Sequence, residues 1–164
     1  MAAFAFTAIA ALLFAEVEIQ IEGAGGWGST LPTWRVEEHW LLDIFWGGRA
    51  MTGYHAFVFP FIALLFHFPI VALGTWSLRL EARILGCIML FWVIEDLLWF
   101  ALNPHYGWAK LTPAVATWHP HWLFGFPTEY SVFGVAGVAL IWYASTVPRA
   151  QRDVTPSRAP AGNP

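Results

Sequence analysis

A chain of 164 residues that is 58% hydrophobic and 12% charged carries about half the charge usual for a soluble domain, which excludes a water-facing exterior for most of its length. The net charge of −3 at pH 7 excludes the basic surface that nucleic-acid binding needs. The single cysteine, Cys87, excludes an internal disulfide.

From the N-terminus, Ala2 to about Glu22 forms a first apolar span. No basic leader precedes it and Glu16 stands where a cleavage site would need small residues, so this span is expected to stay as an anchor. Gly23-Ala24-Gly25-Gly26 then bends the chain. Thr33 to Trp46 places Arg35, Glu38, His39 and Asp43 on one helix side and Val36, Trp40 and Ile44 on the other, the pattern of a helix lying in the membrane interface. From Ala50 to Leu73 there is no Asp, Glu, Lys or Arg, and about 20 apolar residues are enough to cross a bilayer. Pro60 and Pro69 predict kinks in this second span.

A third span runs from about Leu78 to Leu102 and is ended by Asn103-Pro104. The fourth, Thr128 to Val147, carries Ser131, Gly134, Ala136, Gly137 and Ala139, small residues that let another helix approach closely, and is stopped by Pro148. The expected fold is all-α: a four-transmembrane-helix bundle with an interfacial amphipathic helix and a tryptophan-rich outer cap. Residues 1–147 make up the transmembrane domain, and 148–164 a Pro/Arg-rich cytoplasmic tail whose composition predicts disorder.

Basic residues favour the cytoplasmic side of short loops. Placing both termini in the cytoplasm puts Arg79, Arg83, Arg149, Arg152 and Arg158 inside and leaves Arg35, Arg49 and Lys110 outside, the arrangement expected in a prokaryotic inner membrane.

Glu95 and Asp96 stand side by side within the third span, where a charged group costs several kcal/mol and so calls for a partner or a function. In the expected orientation Glu16, His55 and Glu95 each lie roughly 7 to 11 Å inside the outer boundary at 1.5 Å per residue. Glu18 and Glu22 are near the outer end of the first span, and His105, His119 and His121 belong to the outer loop above. Carboxylates and imidazoles at one depth suit a divalent metal, with His55, Glu16, Glu95, His119 and His121 as candidate ligands. Two carboxyls in a dry site also suit a general acid and base, with Glu95 and Asp96 as the catalytic candidates. The same acids read equally well as structural, bonding loop amides or pairing with His55. His67 either bonds a carbonyl freed by Pro69 or serves as an axial ligand to a haem or a pigment.

Most of the 11 tryptophans, Trp34 and Trp40 among them, fall in the outer half, more than an anchoring belt needs. They predict a cap that packs on itself or on a partner. Contact with larger membrane-protein subunits is expected through Gly134, Gly137, Trp34, Trp40 and the tail arginines Arg149, Arg152 and Arg158.

Ile21-Glu22-Gly23, Gly26-Trp27, Leu31-Pro32-Thr33-Trp34-Arg35, Ile94-Glu95-Asp96-Leu97-Leu98-Trp99-Phe100 and Asn103-Pro104 together resemble a group of small polytopic bacterial and archaeal membrane proteins of unassigned function. Val93-Ile94-Glu95-Asp96 is similar to the Pro-x-Glu-Glu/Asp signature of the small membrane lycopene cyclases, with Val93 in place of the proline and no second copy of the motif. That likeness implies a polyene substrate and Glu95 as a proton donor. Two functions are therefore expected. The first is an accessory transmembrane subunit stabilising a larger bioenergetic complex, such as a photosynthetic assembly, with contact to pigment or carotenoid. The alternative is a metal-dependent or acid/base membrane enzyme acting on a lipid-soluble substrate.

Overall fold

The computed structural model describes residues 2–146, so the tail 148–164 with Arg149, Arg152 and Arg158 lies outside the described residues. Five helices dominate: α1 (Ala2–Glu22), α2 (Trp40–Phe45), α3 (Gly53–Leu73), α4 (Leu78–Leu102) and α5 (Thr128–Thr146). Two short antiparallel pairs, β1 (Arg35–Val36) with β2 (Met51–Thr52) and β3 (Trp122–Leu123) with β4 (Phe126–Pro127), tie down the connecting segments. Of the helices, α1, α3 and α4 are long and apolar enough to cross a membrane.

Local chemistry sets the helix ends. Thr52 caps α3 by accepting the His55 amide at 3.2 Å, and Gly74, in the left-handed region at φ 61°, closes it. Both prolines lie inside α3, which runs as one helix from 53 to 73; without their N–H groups the carbonyls of Ala56 and Leu65 lack their intrahelical donors. Ser77 caps α4 at the Leu80 amide, 3.2 Å away, and Glu81 in the first turn complements the helix dipole. At the far end Asn103 precedes Pro104, donates from Nδ2 to Gly23 O at 2.9 Å and accepts the His105 amide at 2.9 Å.

Helix α4 is the central element, packed by α1, α3 and α5. Its approach to α5 is governed by Gly86 and Gly137: a Cβ on Gly86 would lie 2.7 Å from the Gly137 carbonyl, and one on Gly137 would lie 3.0 Å from the Gly86 carbonyl. Gly137 is thus consumed inside the molecule rather than offered to a partner, while Gly134 faces open space. Two cores stack along the bundle. Ala11, Ile62, Phe66, Ile84, Cys87 and Phe91 fill the half away from the cap, and Ala15, Ile19, Trp99, Phe100, Leu111, Ala116 and Tyr130 fill the cap half.

The segment from Thr33 to Trp46 departs from the expected interfacial helix. Arg35 and Val36 pair with Thr52 and Met51, and only Trp40–Phe45 is helical. The pairing takes up backbone groups that a helix would need, His39 caps the short helix by accepting the Leu41 amide on Nδ1 at 3.2 Å, and the Gly47-Gly48 turn follows it. Trp34 and Trp40 stand out from the cap, 53% and 64% exposed.

Candidate functional site

The segments 23–52 and 103–127 fold over the same end of the bundle and interlock there. Glu22 Oε1 accepts the Gly28 amide, and the Arg35 guanidinium donates to Gly28 O and Leu31 O, closing the loop after α1. Trp27 sits at its apex with φ 51°, left-handed backbone that a bulky side chain adopts only when held there. Three contacts hold it. Its Nε1–H donates to Ala50 O at 2.7 Å, its ring stacks on His55 with centroids 3.8 Å apart, and the Arg49 guanidinium lies 4.7 Å from the ring centre. Gly26 has no room for a Cβ because the Trp118 ring lies against it, itself stacked on Phe100.

Beneath this cap two polar branches meet at α4. In the first, Ala11, Ala15, Glu18 and Glu22 share the buried face of α1, so small side chains give way to two acids as the helix reaches the cap. Tyr54 Oη donates to Glu18 Oε1 at 2.9 Å, and Glu18 is within hydrogen-bonding reach of Glu95. Glu95 is 3% exposed and its Oε1 has no hydrogen-bond partner. In the second branch, Tyr130 Oη donates to Asp96 Oδ2 at 2.7 Å, and His119 Nε2 lies 3.5 Å from the same oxygen. His119 Nδ1 is 2.8 Å from Glu129 Oε1 and 2.9 Å from Arg49 Nη2, and Arg49 pairs with Glu129. Neighbouring positions on a helix are about 100° apart, which is why Glu95 turns to α1 and Asp96 to α5.

Electrostatics in the loops follow from burial. Desolvation pushes the His119 imidazole from 6.5 down to about 4, with the Arg49 charge adding to the fall and Asp96 opposing it, so the ring is neutral at pH 7. Desolvation also lowers the Arg49 guanidinium, against the pull of Asp96 and Tyr130. The Tyr106 phenol is raised by burial and by Glu22, and it donates to Ala24 O at 3.0 Å.

The candidate residues separate under this geometry. Glu95 and Asp96 are both at the site but face different partners. The five candidate metal ligands do not meet: Glu16 and His121 are exposed, His55 has Nδ1 2.6 Å from Thr52 Oγ1, His119 faces Asp96 and Glu129, and Glu95 faces Glu18. Among the described residues no three His, Cys, Asp or Glu side chains are grouped for a metal ion. His67 lies at the opposite end, with Nδ1 2.6 Å from Ala63 O and Nε2 3.1 Å from Glu81 Oε1. Both its nitrogens are engaged within the chain, and the carbonyl it meets, Ala63, is not the one freed by Pro69.

Sequence reasoning missed Glu18, Glu22, Trp27, Arg49, Tyr54, Glu129 and Tyr130 as site residues. For the two α1 acids the signal was present, since Ala11 and Ala15 continue to 18 and 22 at helical spacing. The groups from the loops carry no such periodicity. Comparison with protein-family models, curated proteins and solved structures gives no match to this chain.

Proposed function

We propose that the chain is a polytopic membrane protein performing acid–base chemistry at a buried carboxyl pair, Glu18 and Glu95, near the cap end. The observation that carries this reading is Glu95 Oε1, buried without a donor beside another carboxyl group. A hydrogen bond between two carboxyl groups requires a proton on one of them, and leaving a buried acceptor open costs about 1–3 kcal/mol. A purely structural acid would have donors on both oxygens; a proton-exchanging one keeps an oxygen available. Glu95 acts as acid, Glu18 shares its proton, and Tyr54 orients Glu18.

An apolar groove of about 230 Å³ between α1 and α3, lined by Phe14, Val17, Phe61 and Leu65, suits a lipid-soluble molecule held against the same bundle. The likeness of Val93-Ile94-Glu95-Asp96 to the cyclase signature favours the same substrate class. The test is the infrared carbonyl stretch of protonated carboxyl groups in the purified protein, compared with Glu95→Gln and Glu18→Gln. Loss of the band in either variant is expected; a band unchanged in both would overturn the reading.

Within this proposal α5 is a fourth span. Its 19 residues reach about 28 Å at 1.5 Å each, and Val132, Val135, Val138 and Trp142 face outward. Four spans would return both termini to the side of Arg79 and Arg83, and the preference of basic residues for the cytoplasmic face supports that orientation in an inner membrane.

A second reading, an accessory subunit of a larger bioenergetic or photosynthetic assembly, is favoured by the exposed aromatics of the cap: Trp34, Trp40 and, at the β3–β4 turn, Phe124, which is 93% exposed. Gentle solubilisation of native membranes separates the two. Larger subunits and pigment bands recovered in fixed ratio with the chain support the subunit reading, and a colourless particle of this chain alone opposes it.

A further inference from the structure

We infer that the cap contains a binding site for a small oxyanion, a phosphoryl or carboxylate group presented from the aqueous side. A cavity of about 400 Å³ opens between the loop after α1 and the 103–127 segment, walled by Gly25, Trp27, Ser29, Arg35, Arg49 and Trp118. That volume lies within the range of small-molecule sites. Its charge is the informative part. Arg35 has no carboxylate partner among the described residues; its hydrogen bonds go to the Gly28 and Leu31 carbonyls, which fix the guanidinium at the wall without neutralising it. Arg49 also lines the cavity; its Nη2 is taken up by Glu129 and His119, and its buried Nε–H has no acceptor. The Glu22 carboxylate behind the loop is tied to the Gly28 amide.

Arg35 has no carboxylate and Arg49 keeps an orphaned Nε–H, and planar donor forks of this kind match carboxylate and phosphate oxygens. Trp27 and Trp118 also line the cavity, so the bound anion carries a compact substituent or is the head group of a lipid whose tail leaves the mouth. The strained backbone at Trp27 fits a loop shaped for a ligand rather than for its own stability. This site stands apart from the Glu18–Glu95 pair and does not depend on acid–base chemistry there.

The experiment uses the full chain in phospholipid-free detergent, with inorganic phosphate followed by equilibrium dialysis, and in parallel the full chain in nanodiscs containing phosphatidylglycerol, followed by lipid mass spectrometry after delipidation. Arg35→Gln removes the charge and Arg35→Lys retains it. Because Arg35 also holds the loop, Thr117→Trp is the second variant; Thr117 is exposed at the cavity rim, and the larger ring obstructs the space without touching the arginine bonds. Saturable phosphate binding that weakens about tenfold in Arg35→Gln and in Thr117→Trp, and less in Arg35→Lys, supports a free-anion site. Retention of phosphatidylglycerol that both changes abolish, without phosphate binding, supports a head-group site. Binding of either probe at equal strength to the native chain and to Thr117→Trp, or of neither probe to the native chain, overturns the proposal.

Discussion

The two halves of the bundle are held by different chemistry. Away from the cap, Ala11, Ile62, Phe66, Ile84, Cys87 and Phe91 pack as an apolar core, with Phe14 edge-on to Trp92 and Phe66 edge-on to Phe91. In the cap half the same helices bring Glu18, Glu22, His55 and Glu95 into buried positions, and the 103–127 segment adds His119. Lipid is as apolar as leucine, so the first core gains mainly dispersion and shape complementarity over a lipid-solvated helix. The second must satisfy groups that lipid cannot, and a failed partner there is penalised directly. The lesson is that in this molecule polar burial, rather than apolar burial, marks where sequence is constrained by more than packing.

That contrast can be broken by substitution. Arg49→Ala leaves the Glu129 carboxylate without its cation and should cost the most, about 3 kcal/mol in a detergent unfolding titration. Phe91→Ala, at the centre of the apolar core, should cost about 2 kcal/mol, mostly as a cavity, because the lost ring could have been solvated by lipid. A Phe91→Ala cost larger than that of Arg49→Ala would reverse the comparison. Gly137→Leu forces side-chain atoms against the Gly86 backbone and should cost about 1–3 kcal/mol, read as a lower unfolding midpoint. Gly134→Leu, in open space on the same helix, should change that midpoint by less than about 0.5 kcal/mol.

The cap half also carries a pH dependence that the apolar half lacks. His119 binds a proton less readily in the folded protein, near 4, than in the unfolded chain, near 6.5. Its contribution is therefore fully present above pH 6.5 and is lost as pH falls toward 4, by at most about 3 kcal/mol from this group. Thermal unfolding across that window should show the loss in the native chain and a flatter profile in His119→Gln. An equal slope in both would assign the acid sensitivity to other groups.

How far the sequence exposes this arrangement differs by element. Long apolar runs, uncharged throughout only in α3, are sufficient to locate α1, α3 and α4. Glu95 and Asp96 stand out within such a run, and they do lie where the two polar branches meet. Choosing Glu16 over Glu18 and Glu22 failed because depth along a helix does not give its direction; only the alanine face shared with α4 does. Gly134 and Gly137 look alike in the chain, yet one meets Gly86 and the other open space. The stretch Thr33–Trp46 has helical periodicity, but two residues of strand pairing with Met51-Thr52 override it, and that partner lies beyond any local window. Arg49, Glu129 and Tyr130 enter the site through loop geometry and so carry no pattern.

The interlock of the cap has a consequence for biosynthesis. Glu18 and Glu22 leave the ribosome in the first helix, whereas Glu95, and the Asn103 amide that bonds Gly23, emerge only with α4, and Glu129, the partner of Arg49, emerges last of all. The acids of α1 gain their partners stepwise: Glu22 meets the Gly28 amide that follows it in the chain, Glu18 meets Tyr54 with α3, and Glu95 joins them only with α4. Assembly of the cap is thereby ordered in time: the α1 acids are covered as the first loop, α3 and α4 arrive, and the Arg49–Glu129 pair closes only with α5.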